Sequence, residues 1–212
     1  MFPNYDFISI PNALTLMRLI CSPLILPLVF AYLLPLNVFP LNIVLALVFL
    51  FFSGTDFFDG YLARKHNQVT MLGSVLDPIA DKFLFYSSLI GLLAADKIYF
   101  YWVIILIGRE FFVMGIRQIA AEQQVTLKVT FWAKVKTVLQ MILLLIIIIN
   151  PYQKLSFGEA PWWHTTEWIL LFLTLLFSLT TAHWYYQEFM RLMGGYEKFG
   201  SFFSNKPSKP QE

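Results

Sequence analysis

The feature that most constrains this chain is a long stretch, residues 19–55, that contains no Asp, Glu, Lys, Arg or His. A helix needs about 20 apolar residues to cross a bilayer, so this stretch is long enough for two spans. Residues 35–42, PLNVFPLN, lie in its middle and supply the prolines and asparagines of a turn. Only 13% of the whole chain is charged, against about 25% in a typical soluble domain. The sequence therefore predicts an integral membrane protein.

The remaining apolar runs predict a fold of the all-α class, a bundle of six transmembrane helices. One catalytic membrane domain is expected over residues 1–193, followed by a cytoplasmic tail, residues 194–212, that is rich in Gly, Ser, Pro and charge. The absence of a basic start and cleavage site suggests that the first helix serves as the insertion signal. The expected helices are residues 12–33, 41–64, 77–95 (starting at 76 or 77), 98–116 (continuing as far as 123), 130–149 and 167–187.

The positive charges predict the orientation of these helices, because Lys and Arg concentrate in cytoplasmic loops. The second-to-third loop, the fourth-to-fifth loop and the tail are basic, whereas the opposite loops offer only Lys97, beside Asp96, and Lys154, near Glu159. Both termini are therefore expected in the cytoplasm. The net charge of +2 is too small to indicate nucleic-acid binding.

Four aspartates lie where the second helix ends and the third begins. Asp56 and Asp59 are three residues apart and Asp77 and Asp81 four apart, so each pair shares one face of a helix. Pro78 suits the first position of a helix that starts at Asp77. The short connection between the helices is expected to bring the four carboxylates together at the cytoplasmic edge of the membrane.

Clustered carboxylates raise one another's pKa, so four of them stay ionised only beside cations. Oxygen ligands suit Mg²⁺, Mn²⁺ or Ca²⁺ and do not suit zinc. Two such ions form the arrangement that clamps a phosphoryl group during in-line displacement. Two alternatives remain open. The aspartates serve as helix caps and surface ion pairs, with Asp77 as a cap and Asp81 beside Lys82, or they line a cation pathway, which would place them near the membrane midplane.

The stretch fits the pattern D-x2-D-G-x2-A-R-x8-G-x3-D-x3-D without a mismatch and resembles the CDP-alcohol phosphotransferase family. Its fixed positions are Asp56, Asp59, Gly60, Ala63, Arg64, Gly73, Asp77 and Asp81. The resemblance implies six membrane helices, a homodimer, and two divalent cations, Mg²⁺ or Mn²⁺, held by the four aspartates. It further implies that Asp81 takes the proton from the acceptor hydroxyl.

The same resemblance implies which residues bind the donor, CDP-diacylglycerol. Gly60 leaves room for the cytidine nucleotide, Arg64 binds the diphosphate, and Thr70 lies at a position that contacts the nucleotide. Residues 9–19, SIPNALTLMRL, resemble the opening of the family's bacterial phosphatidylglycerophosphate synthases, which lies near the nucleotide. This adds Asn12 and Thr15, although Asn12 after Pro11 also suits a simple helix cap.

The acceptor is indicated by four cations further along the chain, Arg109, Arg117, Lys134 and Lys136. Arg109 is expected to point into the bundle, since its neighbour Glu110 does not share its helix face. The pattern REFFVMGIR, AAE and KVKTVLQM resembles the phosphatidylglycerophosphate synthases, with Ala133 where relatives often carry glycine. A phosphorylated acceptor needs cations beyond the metals, although each lysine alone also suits a cytoplasmic membrane edge.

The sequence therefore predicts an enzyme of the bacterial inner membrane with a cytoplasmic active site. It is expected to transfer the phosphatidyl group of CDP-diacylglycerol to sn-glycerol 3-phosphate, a reaction that releases CMP. One alternative is a cardiolipin synthase that uses phosphatidylglycerol as acceptor. The alternative from another class is a divalent-cation carrier.

Overall fold

The computed structural model describes residues 10–65, 71–123, 125, 127, 130–152 and 161–192. Within its helices, the side chains of residues 10–18, 21–22, 55–65, 71–78, 80–81 and 161 lie outside that description.

Six α-helices make up most of the described chain, and no strand occurs in it. They are α1 (Ile10–Leu33), α2 (Phe39–Lys65), α3 (Met71–Ala94), α4 (Phe100–Glu122), α5 (Phe131–Ile149) and α6 (Pro161–Leu192). The prediction of an all-α fold is confirmed. Among the described residues, Phe131–Ile149 and Trp162–Leu192 are long and apolar enough to cross a membrane. Shorter apolar segments are Pro23–Leu36, Phe39–Gly54 and Lys82–Ala94.

The predicted helix bounds hold to within two residues for α1, α2, α4 and α5. The predicted start of the third helix is wrong, because α3 already begins at Met71. Pro78 therefore lies inside α3 instead of opening it. A membrane helix tolerates an internal proline because neighbouring groups satisfy the backbone it frees, and α1 likewise contains Pro23 and Pro27. The sixth helix is longer than predicted at both ends.

The predicted turn between the first two helices is confirmed. A short 3-10 helix, Leu34–Leu36, follows α1, and Asn37 then adopts a left-handed backbone with φ of 53°. Asparagine tolerates this conformation better than most residues. The Asn37 N–H donates to the Leu34 carbonyl over 3.1 Å, which closes the turn and allows α2 to begin at Phe39.

The chain divides into two compact units. Unit 1 comprises residues 1–103 and 141–169, so it contains α1, α2, α3, the end of α5 and the starts of α4 and α6. In it, α1 packs against α3 at Gly91, where an added Cβ would lie 2.9 Å from the Cα of Pro27. The buried side chains of Leu26, Phe30 and Leu89 belong to this unit.

Unit 2 comprises residues 104–140 and 170–212, so it contains most of α4, the start of α5 and most of α6. Its buried apolar side chains form two clusters, one of Ile116, Ala120, Phe189 and Met190 and one of Val113, Ala182 and Tyr185. Residues Leu127 and Ala133 pack against the second cluster.

Large apolar side chains are also exposed along every helix, among them Leu24, Phe51, Ile104, Trp132 and Leu176. A monomeric soluble protein rarely exposes contiguous apolar surface beyond a few hundred Å². Such a surface suits a hydrocarbon environment, where exposed Leu, Ile and Phe carry no hydration cost. The helices are therefore those of a membrane protein.

Candidate active site

The four aspartates of the predicted metal site lie at the two helix ends that residues 66–70 connect. Asp56 and Asp59 occupy roughly the last three turns of α2, and Asp77 and Asp81 roughly the first three turns of α3. The two helices contact each other. Each pair is therefore on helical backbone, as the shared-face prediction requires. The four carboxylate groups lie outside the described part of the structure. So do the side chains of Arg64 and of the residues next to Gly60.

The helix bounds remove two of the alternatives to a functional site. Asp77 is not the cap of α3, because that helix begins six residues earlier, at Met71. Asn12 is not the cap of α1, because that helix begins at Ile10. Thr70 lies outside the described residues, as do the side chains of Asn12 and Thr15. Within the described part of the chain, no three His, Cys, Asp or Glu side chains form a group suited to a metal.

The four predicted acceptor-binding cations fall into two pairs. Arg109 and Lys136 are buried, with 7% and 6% of their surface exposed, whereas Arg117 and Lys134 are exposed. All four belong to unit 2, and the aspartate segments belong to unit 1. The expectation that Arg109 points inwards is confirmed.

The Arg109 guanidinium connects α4 to α6. Its Nε donates to the carbonyl of Ser178 over 2.7 Å, and its Nη2 donates to the hydroxyl of Thr181. Its Nη1 pairs with Oε1 of Glu110 over 2.9 Å, although the two residues are adjacent on the helix. Each of the three guanidinium nitrogens thus has an acceptor within the protein, which fixes the plane of the group.

Glu110 is the acidic member of this buried cluster, and sequence reasoning had assigned it no role. Its Oε1 accepts a hydrogen bond from Nζ of Lys136 and a longer one, 3.4 Å, from Nε2 of Gln140. Gln140 is itself buried. Because Lys136 and Gln140 are four residues apart on α5, they share one helix face. Two features of the sequence could have indicated this cluster. One is the four-residue spacing on α5, and the other is the single acidic residue, Glu110, within the apolar part of α4.

A second buried polar cluster belongs to unit 1 and surrounds Lys97, between α3 and α4. Its ammonium donates to Oδ1 of Asn37 over 2.9 Å and to the carbonyls of Asn150 and Tyr152 over 3.1 and 2.7 Å. Sequence reasoning had treated Lys97 only as a charge of an outer loop. It is instead 6% exposed, and it joins the chain segments that follow α1, α3 and α5.

The cluster extends from Asn150 to the start of α6. The backbone carbonyl of Asn150 accepts a further hydrogen bond from Nδ2 of Asn42. The side-chain Nδ2 of Asn150 donates to Oε1 of Glu167 over 2.6 Å. The ring of His164 lies 3.6 Å from Oε2 of the same carboxylate. Burial lowers the pKa of Lys97 to about 8, and the charge of Glu167 opposes that decrease. The cluster is a structural tie whose donors and acceptors belong to the protein itself.

Comparison with known proteins shows which family the chain resembles. A family model described as CDP-alcohol phosphatidyltransferase matches residues 8–180. A CDP-diacylglycerol–glycerol-3-phosphate 3-phosphatidyltransferase of Rickettsia felis is 40% identical over 147 residues, covering 67% of this chain and 76% of that protein. Proteins of the same name are 41% identical in Rickettsia bellii, over 67% of this chain and 76% of the relative. A protein of the same name in Bacillus subtilis is 36% identical, over 62% of this chain and 67% of that protein.

Proposed function

Because the chain belongs to the CDP-alcohol phosphatidyltransferase family, we propose that it transfers the phosphatidyl group of CDP-diacylglycerol to sn-glycerol 3-phosphate and releases CMP. The observation that carries this proposal is the complete aspartate pattern on the connected ends of α2 and α3. The relatives in Rickettsia and Bacillus, which bear the name of this reaction, support the choice of donor and acceptor.

The aspartate set fits a pair of hard divalent cations. Asp56, Asp59, Asp77 and Asp81 offer only carboxylate oxygens, which Mg²⁺ and Mn²⁺ prefer, and four carboxylates balance the charge of two such ions. Bound there, the ions would supply Lewis-acid stabilisation for the negative charge of the diphosphate. Removal of divalent cations should therefore abolish transfer.

The residues of the chain then divide the remaining tasks. Asp81 accepts the proton of the acceptor hydroxyl. The oxygen of that hydroxyl bonds to the phosphorus next to diacylglycerol, and the bond from that phosphorus to CMP breaks. Arg64 binds the diphosphate, because a guanidinium matches phosphate oxygens in a bidentate manner. Gly60 permits close approach of the nucleotide. The other nucleotide contacts in this proposal are Asn12, Thr15 and Thr70.

The acceptor phosphate is assigned to the cations of unit 2. Lys136 and Arg109 are buried, and a charge acts more strongly on a phosphate where water is excluded. Arg117 and Lys134 are exposed and suit the approach of a water-soluble anion. A neutral acceptor alcohol would have no use for this set of cations, so the set favours a phosphorylated acceptor.

The membrane arrangement that suits this chemistry has six spans, with both termini and the active site on the cytoplasmic side of a bacterial inner membrane. The lipid tails of the donor then stay in the bilayer while the nucleotide and glycerol 3-phosphate enter from water. The basic loops support this orientation. A homodimer completes the arrangement that we propose.

The choice of acceptor is tested with purified protein, Mg²⁺ and CDP-diacylglycerol, by measuring CMP release with different acceptors. Glycerol 3-phosphate should support release, and glycerol, serine and phosphatidylglycerol should not. Release only with phosphatidylglycerol would show a cardiolipin synthase instead. Failure of every acceptor, together with cation uptake by vesicles that contain the protein, would show a carrier.

A further inference from the structure

Three donors from two helices converge on a single oxygen atom of the buried cluster in unit 2. Oε1 of Glu110 accepts from Nη1 of Arg109, from Nζ of Lys136 and from Nε2 of Gln140. The Glu110 side chain is only 12% exposed. A carboxylate at this depth costs free energy to bury, and it is retained only where cations and hydrogen bonds offset that cost.

The cluster has a fixed side and an adjustable side. On the fixed side, Arg109 is held by the carbonyl of Ser178 and the hydroxyl of Thr181, so Glu110 meets a guanidinium whose position α6 determines. On the adjustable side, Lys136 carries its charge on a flexible four-carbon chain with several rotamers. The contact with Oε1 of Glu110 selects one position for that charge.

We propose that Glu110 is a positioning residue for the acceptor: it holds the Lys136 ammonium in the place where the phosphate of glycerol 3-phosphate binds. This inference rests on the proposed function. It also gives Arg109 a second task, because Arg109 anchors Glu110 to α6. An ammonium that is already placed binds its ligand without a further loss of side-chain entropy.

A purely structural ion pair would have a different kinetic consequence. Its loss would lower the stability of the helix packing and reduce kcat or affect both substrates together. A positioning role predicts that only the KM for the acceptor increases, because Lys136 meets the acceptor and not CDP-diacylglycerol. The separation of the two KM values therefore decides between these roles.

The experiment is to measure both KM values and kcat for Glu110→Gln, which keeps the shape of the side chain and removes its charge. The KM for glycerol 3-phosphate should rise about tenfold, the loss expected for one charge-assisted hydrogen bond. The kcat and the KM for CDP-diacylglycerol should stay within about twofold. Glu188→Gln is the matched control: it removes a carboxylate that pairs with the exposed Arg191 on α6, and its kinetics should match wild type.

A double-mutant cycle with Lys136→Met tests whether Glu110 acts through Lys136. Lys136→Met alone should raise the acceptor KM, and the addition of Glu110→Gln should raise it no further. Equal effects of Glu110→Gln in both backgrounds, or an unchanged acceptor KM, would overturn the proposal. Glu110→Asp keeps the charge and should recover part of the affinity.

Misfolding of Glu110→Gln and failure of the proposed function are each distinguished from failure of the positioning role. If Glu110→Gln does not fold, Gln140→Leu removes a neutral donor from the same oxygen. It should raise the acceptor KM about threefold, which is about half of the free-energy effect expected for a charged contact. An unchanged acceptor KM in a folded Gln140→Leu protein would also overturn the proposal. If wild-type protein does not use glycerol 3-phosphate at all, the proposed function has failed before this test begins.

Discussion

At the scale of single residues, the buried charges of unit 2 show how far sequence reasoning reaches. The inward direction of Arg109 was predictable, since a lone arginine in an apolar helix seldom faces lipid. Its contact with Glu110 was not, because adjacent residues leave a helix about 100° apart. Arginine is long enough to reach back to its neighbour, and the two meet at 2.9 Å. The length of the arginine side chain therefore allows a contact between two residues that lie on different faces of the helix.

Asp81 is the residue on which the proposed proton transfer depends. Asp81→Asn keeps the size of the side chain but removes both the base and one metal-binding charge, so transfer should fall by at least about a thousandfold. The protein should still insert into the membrane and elute as wild type from a sizing column. The measurement is the rate of CMP release at saturating substrates.

The control for this variant is Asp96→Asn, the same substitution in a left-handed position outside α3, where φ is 55°. Asparagine accepts that conformation, so the control should keep wild-type turnover. Near-normal turnover in Asp81→Asn would remove Asp81 as the base.

At the scale of elements, the hydrophobic runs predicted the helices well, because each run is long and is bounded by turn residues or charges. The start of α3 was missed because Asp77 and Pro78 together resemble a helix beginning. The six residues before Asp77 continue the helix, as the backbone from Met71 shows. A local capping pattern therefore does not by itself mark the start of a helix.

The crossing of α1 and α3 depends on the absence of a side chain at Gly91. A Cβ there would lie 2.9 Å from Cα of Pro27 and 3.0 Å from Cβ of Phe30, and backbone atoms cannot move aside without shifting the helix. Gly91→Ala should therefore destabilise the protein by about 1–3 kcal/mol, the usual cost of overpacking. Thermal unfolding of the detergent-purified protein measures this change.

Gly115→Ala is the matched control, because no atom of the described residues lies within 4 Å of the added Cβ. Alanine favours a helix over glycine, so this variant should be as stable as wild type or more stable, by up to about 1 kcal/mol. Equal melting temperatures for Gly91→Ala and Gly115→Ala would contradict the close crossing.

The Lys97 tie predicts a stability that depends on pH. Burial lowers the pKa of Lys97 from 10.5 to about 8, so between these values the unfolded chain binds more protons than the folded chain at this residue. The free energy of unfolding should therefore increase as pH rises from 8 to 10.5, by up to roughly 3 kcal/mol from this group alone. Glu167 and His164 are the titratable groups nearest to the tie, and Asp96 precedes it.

Unfolding temperatures across this pH range, compared between wild type and Lys97→Met, check the prediction. The variant should lack the increase that wild type shows. Lys134→Met, which removes an exposed lysine, should keep the wild-type slope. The same slope in wild type and Lys97→Met would contradict a burial-driven shift.

At the scale of the whole molecule, the aspartate pattern of unit 1 and the buried cation cluster of unit 2 differ in how readily sequence reasoning finds them. The aspartate pattern lies within a short stretch, so its spacing and its resemblance to the family signature predict it from sequence, and its role stays a prediction. The cation cluster joins residues far apart in sequence, such as Arg109 and Thr181, which are separated by 72 positions. Contacts to a backbone carbonyl, such as that of Ser178, leave no trace in residue type at all. Glu110, Gln140 and the α6 groups are recognised as members of the cluster only from the packing of the folded chain.

The central claim is that a phosphatidyl group passes to glycerol 3-phosphate at the aspartate site, and the most direct measurement follows the acceptor itself. Purified protein is given CDP-diacylglycerol, Mg²⁺ and isotopically labelled glycerol 3-phosphate, and the lipid product and CMP are quantified by mass spectrometry. The account predicts one labelled phosphatidylglycerophosphate for each CMP, with neither product after chelation of Mg²⁺ or in Asp81→Asn. Release of CMP without label in the lipid, or label transfer that survives Asp81→Asn, would contradict it.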